Sequence, residues 1–127
     1  MRLLLDTHAL LWWLSDDAQL GPAARDLIAD PAHDVFVSVV SLWEIQVKAR
    51  VGKLTADLAA ILEEMEAQAF ELLPIRPAHL LRLGGLPAHH RDPFDHLLIA
   101  QAMIEGAAIV TADRISGYGV QVVGCSV

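Results

Sequence analysis

Cys125 is the only cysteine, which excludes an intrachain disulfide and a cysteine-built zinc site and fits a reducing cytoplasm. Basic residues are also scarce. Nine Lys and Arg against 16 Asp and Glu leave a net charge of −7, and bulk charge of that sign argues against nucleic-acid binding. Long apolar runs are missing too. "THALLWWLS" and "VFVSVVSLW" fall far short of the ~18 uncharged residues of a spanning helix, so no membrane association is expected. "MRLLLDTHALLWWL" imitates a signal peptide, with Arg2 ahead of an apolar run. Asp6 interrupts it and no small-residue cleavage site follows, so a strand and a helix are expected there. There is no repeat, linker or low-complexity segment. The six histidines show no H-E-x-x-H spacing.

What remains is a strongly apolar chain. Hydrophobic residues make up 54% of 127 positions, with mean hydropathy +0.43, which predicts one packed domain spanning residues 1–127. Short β-like runs alternate with helical patterns. Strands are expected at "RLLL", "DVFVSVV", "FELLPI", "AAIV" and "VQVV". Helices are expected after Asp6 and at "LGPAARDLIAD", "SLWEIQVKAR", "ADLAAILEEMEAQA", "AHLLRLGGL" and "DPFDHLLIAQAMIEG", the last closed by Gly106. Such alternation predicts an α/β fold, with a mainly parallel sheet between helical layers.

Five acids stand at starts and ends of these elements, and each has a structural explanation. Asp92 precedes Pro93 as a helix cap, and Asp95 then faces the helix dipole. Ser41 and Glu44 fit a capping box. Asp6 caps the helix after the first strand, and Asp113 suits a turn. Jointly they suggest more. Asp6 and Asp113 each follow a strand, and the carboxyl ends of strands in an open α/β sheet are where sites form. The first strand is usually central, so a later strand beside it would bring the two together. Helices starting at the same edge would add Glu44 and Asp95. Four converging carboxylates repel one another. Capping does not explain such convergence, whereas a hard divalent cation does, and it would polarise a phosphodiester and activate water.

"LLLDTHALLWWL", "SVVSLWEI", "RDPFDHLLIAQA" and "VTADR", in this order, resemble the PIN domain, and more narrowly the VapC-type toxins of bacterial toxin–antitoxin pairs. The resemblance covers essentially the whole chain. It implies a three-layer α/β/α fold and an endoribonuclease dependent on Mg²⁺ or Mn²⁺. It further implies RNA as substrate, a homodimer, and a cognate VapB-type antitoxin that blocks the site. The family's four acids map to Asp6, Glu44, Asp95 and Asp113. Asp92 is assigned mainly to capping and only secondarily to the site. The chain departs from the family at His96, where an Arg is frequent.

Other residues have two readings each. Thr7 and Ser41 would bond a metal-bound water or the acids, or simply cap. Lys48 lies four residues after Glu44 on the same helix face, where it would neutralise that acid or steer phosphate. Arg91 and Arg114 lie within four residues of a suspect aspartate. Arg91 and His96 join Lys48 as candidates for substrate contact, while His89 and His90 suit a polar loop. Trp12, Trp13 and Trp43 are expected in the core or a subunit contact. The competing reading is a non-catalytic α/β interaction module whose acids are only caps. An aspartyl-phosphate phosphatase would want Asp-x-Asp, where this chain has Asp6-Thr7-His8. A phosphoreceiver would want a late Lys, and none follows Lys53.

Overall fold

Residues 1–87, 92–112 and 119–125 are described in the computed structural model. They form β1 (Arg2–Leu5), α1 (Thr7–Leu14), α2 (Pro22–Ala29), β2 (Asp34–Ser38), α3 (Val39–Arg50) and α4 (Leu58–Ala67). There follow β3 (Glu71–Leu73), α5 (Pro77–Gly84), α6 (Pro93–Glu105), β4 (Ala108–Thr111) and β5 (Val122–Gly124). The strands make one sheet in the order β3-β2-β1-β4-β5, with every pairing parallel. β1 is therefore central, as the apolar run Leu3–Leu4–Leu5 implies. Leu3, Leu4 and Leu5 are all fully buried, the pattern of a strand covered on both faces.

The alternation of side chains along β1 sorts the core into two layers. Leu3 and Leu5 pack with Ala9 and Leu10 of α1, Ala24 and Ile28 of α2, Ile45 of α3 and Ile61 of α4. Leu4 packs on the opposite face with Leu97, Leu98 and Ala102 of α6 and Leu83 of α5. Each Leu or Ile side chain among these contributes about 1.5–3 kcal/mol on removal from water. The result is a three-layer α/β/α fold. Among the described residues, no helix is long and apolar enough to cross a membrane.

The boundary between β2 and α3 departs most from expectation. The β-branched run "DVFVSVV" does not stay extended: β2 ends at Ser38, and Val39 and Val40 open α3. Ser38 is the cap, its Oγ accepting from the Val40 amide at 3.0 Å. Ser41 therefore lies inside the helix, and the Ser41–Glu44 capping box is not formed. The other helix ends match. Asp6 caps α1, Asp92 caps α6 with Pro93 next, and Gly106 closes α6 at φ +63°, where a residue without Cβ is favoured. The last strand begins at Val122, two residues later than "VQVV" suggests.

α5 and α6 are joined by a buried polar chain that sequence patterns do not announce. The Ser38 hydroxyl donates to Gln101 Oε1, and Gln101 Nε2 donates to the Pro74 carbonyl at 3.2 Å and lies 3.3 Å from His79 Nδ1. The Arg76 amide also donates to His79 Nδ1, so Nε2 carries the proton toward Glu105 at 2.9 Å. The bond from His79 holds the Glu105 carboxyl below its ordinary value against the opposing effect of burial. Arg76 and Arg2 add to the lowering.

Candidate active site

The sheet order reverses between β1 and β4, and the crevice above their carboxyl ends is where an open α/β sheet places a site. Asp6 stands there. Its amide donates to the Val110 carbonyl of β4 at 2.9 Å, which fixes the backbone against the neighbouring strand. Its side chain is also constrained at both oxygens: Oδ1 accepts from the Ala9 amide at 2.8 Å and Oδ2 from the Thr111 hydroxyl at 2.6 Å. Asp6 is thus both a helix cap and a buried carboxylate, 2% exposed.

Thr7, the first residue of α1, carries the arrangement to α3. Its hydroxyl donates to Glu44 Oε1 at 2.5 Å, and the Lys48 ammonium donates to Glu44 Oε2 at 2.5 Å. Glu44 is 3% exposed and lies in the second turn of α3 rather than the first. It caps nothing, so its burial has no explanation in helix geometry. The bond to Glu44 holds the Lys48 ammonium above the usual lysine value against the cost of burial. The charges of Glu44, Asp92 and Asp95 reinforce it. Lys48 thus lies in the field of carboxylates from two helices.

α6 supplies the remaining acids. Asp92 Oδ1 accepts from the amides of Phe94 and Asp95, at 2.9 and 3.3 Å. Asp95 is buried in the first turn, behind that cap. Asp92 thus has the capping role expected of it. His96, half-buried one residue on, donates its amide to the Asp92 carbonyl. Asp113 and Arg114 lie outside the described residues, as do His89, His90 and Arg91.

Two hydroxyls complete the site. Thr111 is 1% exposed and orients Asp6; sequence reasoning passed over it, although the Thr of "VTAD" was its signal. Ser41 is fully buried, and its Oγ has no hydrogen-bond partner among the described residues. It lies three residues before Glu44, on the same helix face. A buried hydroxyl without a partner implies something to bond it. Among the described residues, no three Asp, Glu, His or Cys side chains form a metal-holding group. The donors are nonetheless all oxygen, and a hydrated Mg²⁺ needs only one or two carboxylates beside its waters.

Trp12 and Trp13 are half-buried against the α1 side of the core, where Trp13 leans on Phe70. Trp43, expected in the core or a subunit contact, is 55% exposed and meets Phe94 edge-on at 4.9 Å.

Comparison with known proteins matches this arrangement to a family. The PIN domain model matches residues 3–115. Ribonuclease VapC22 of Mycobacterium tuberculosis is 28% identical over 114 residues, 87% of this chain and 86% of that protein. In the crystal structure of VapBC2 from Rickettsia felis bound to a promoter DNA fragment, one chain superimposes with a TM-score of 0.73. It is 17% identical, and the match covers 98% of both chains. A chain of VapBC-1 from nontypeable Haemophilus influenzae gives 0.64 at 16% identity, again over 98% of each. The span of the model match takes in β1 with Asp6, α3 with Glu44, α6 with Asp95, and β4. The chain belongs to the PIN-domain family.

Proposed function

We propose that this protein is the toxin of a toxin–antitoxin pair, an endoribonuclease that hydrolyses RNA phosphodiester bonds with Mg²⁺ or Mn²⁺. The observation that carries the reading is Glu44, a buried carboxylate that caps no helix and is tied through Thr7 to the start of α1. A non-catalytic module has no use for it. Asp6, Glu44 and Asp95, with Asp113, are the residues that would hold the cation. When bound, the cation supplies charge stabilisation at the phosphodiester and an activated water. Thr111 and Thr7 fix the rotamers of Asp6 and Glu44, so the carboxylates need no rearrangement. Ser41 offers its hydroxyl to whatever occupies the site. Lys48, Arg91 and His96 remain the candidates for phosphate contact.

The test is cleavage of single-stranded or loop RNA, where unpaired bases are accessible. Purified protein should cut it in Mn²⁺ or Mg²⁺ and spare it in EDTA. With nine Lys and Arg against 16 acids, few cations are available to neutralise phosphate, so binding without metal should be weak. Tight, metal-independent binding to duplex DNA, or intact RNA in Mn²⁺, would overturn the assignment.

The same reading carries a VapB-type antitoxin and a homodimer. A shallow groove of about 450 Å³ runs between α1 and α4, lined by Leu11, Leu14, Ala56, Ala60 and Ile61 together with the polar Ser15, Thr55, Asp57 and Glu64. An amphipathic antitoxin segment would fit it, and a basic side chain beyond that segment would pair with the site carboxylates. For the homodimer, Leu80 and Leu81 of α5 leave apolar surface uncovered, at 52% and 80% exposure. Because Trp13 leans inward on Phe70, Leu14 is the better probe of the groove. Leu14→Glu should weaken the complex with the product of the adjacent small gene by about tenfold or more, measured by calorimetry. Unchanged affinity would remove the groove from the interface.

A further inference from the structure

The two oxygens of Glu44 are held by groups of different kinds. Thr7 is a neutral donor fixed at a helix start, whereas Lys48 is a cation on a flexible stem. A buried carboxylate left bare is costly, and so is a cluster of like charges. Before any divalent cation arrives, the site therefore needs a positive charge. Lys48 provides it: four residues after Glu44, with its ammonium beside Oε2 and its side chain 36% exposed. That exposure gives the stem a way out. A lysine can move its head to solvent by changing rotamers while its carbons stay on the helix. A divalent cation and an ammonium on one carboxylate repel each other.

We propose that Lys48 is the resident counter-cation of the acid cluster, exchanged for the divalent metal: metal binding releases its ammonium from Glu44. The inference rests on the metal-dependent reading of the site and adds to it a competitor built into the chain. Metal affinity is then set partly by the strength of the Lys48–Glu44 pair, and the metal-free protein does not have to carry its acids unneutralised.

The chain has two lysines, Lys48 and Lys53, and Lys53 is exposed. That makes the wild-type protein its own probe. Labelled with an amine-reactive reagent and analysed by mass spectrometry, Lys48 should react slowly without metal and several-fold faster in saturating Mn²⁺. Lys53 should react alike in both. In parallel, Lys48→Met should bind Mn²⁺ about threefold to tenfold tighter by calorimetry, the scale of one partly exposed ion pair released. Its metal-free melting temperature should fall, and Mn²⁺ should raise it by more than in the wild type. In a Glu44→Gln background the same substitution should change the remaining Mn²⁺ affinity by less than in the wild type, because the pair is already broken and only the charges of Asp92 and Asp95 still act on Lys48. Lys48 labelling indifferent to Mn²⁺, or Lys48→Met binding it equally or more weakly, overturns the exchange while leaving the nuclease reading intact. A wild-type protein that binds no Mn²⁺ overturns both.

Discussion

Asp6→Asn, Glu44→Gln and Asp95→Asn should each abolish RNA cleavage while the protein stays folded. The loss should exceed the roughly 10–100-fold that removal of an outer partner of a metal ligand costs. Thr111→Val, which takes away only the hydroxyl on Asp6 Oδ2, should fall inside that range. The fold should survive for stated reasons. Asn at position 6 is also a good helix cap and keeps an acceptor for the Ala9 amide. Gln at position 44 keeps an acceptor for Thr7, and Lys48 can swing outward. Removing one negative charge from an unmetallated cluster relieves repulsion, so melting temperatures of the aspartate variants should hold or rise. Asp92→Asn should be milder, since Asn also accepts from the Phe94 amide. Cleavage rates with circular dichroism on the same preparations decide the matter. Full activity in Asp95→Asn together with loss in Asp92→Asn would exchange the roles given to the two aspartates.

Asp6 shows why so much of the site is legible in the amino-acid sequence. The residue caps α1 and faces the crevice at once, so a capping signal and a site signal coincide in one letter. Position within the sheet separates them. Leu3, Leu4 and Leu5 of "RLLL" form an unbroken apolar run, as expected of a strand covered on both faces, which fits a central β1 and puts Asp6 at the switch point. Glu44 shows the opposite case. Ser-x-x-Glu matches a capping box letter for letter, and Val39-Val40 looks extended. The helix nevertheless begins at Val39, because Ser38 caps it and Val40 fills the core beneath α6. Packing outweighed a weak local preference. Thr111 is hidden for a different reason: its bond to Asp6 spans 105 residues and exists only because β4 lies beside β1. Trp43 is a matter of helix face: Leu42 and Ile45 take the buried side of α3, which leaves Trp43 toward solvent.

Gln101→Leu should be the most destabilising of the conservative-sized substitutions in α6, and it lies well away from the acids. The side chain is fully buried, and both ends of its amide are used. Oε1 accepts from Ser38, the residue that caps α3, while Nε2 reaches the Pro74 carbonyl and His79 Nδ1. Leucine fills a similar volume but pairs with none of them. Each buried polar group left without a partner costs about 1–3 kcal/mol, and a domain of this size has only about 5–15 kcal/mol in total. The Ser38 hydroxyl and the Pro74 carbonyl would bear most of that loss, since His79 keeps the Arg76 amide on Nδ1 and Glu105 on Nε2. Urea unfolding should show a midpoint lowered by more than about 1 M with an unchanged slope, taking a slope of about 1–3 kcal/mol/M. RNA cleavage at low temperature, well below the new midpoint, should stay close to wild type, because Asp6, Thr7, Thr111 and Glu44 have no bond to Gln101. A midpoint within experimental scatter of the wild type would mean that water replaces the amide. The chain from Ser38 to Glu105 would then hold α5 and α6 together less than its geometry implies.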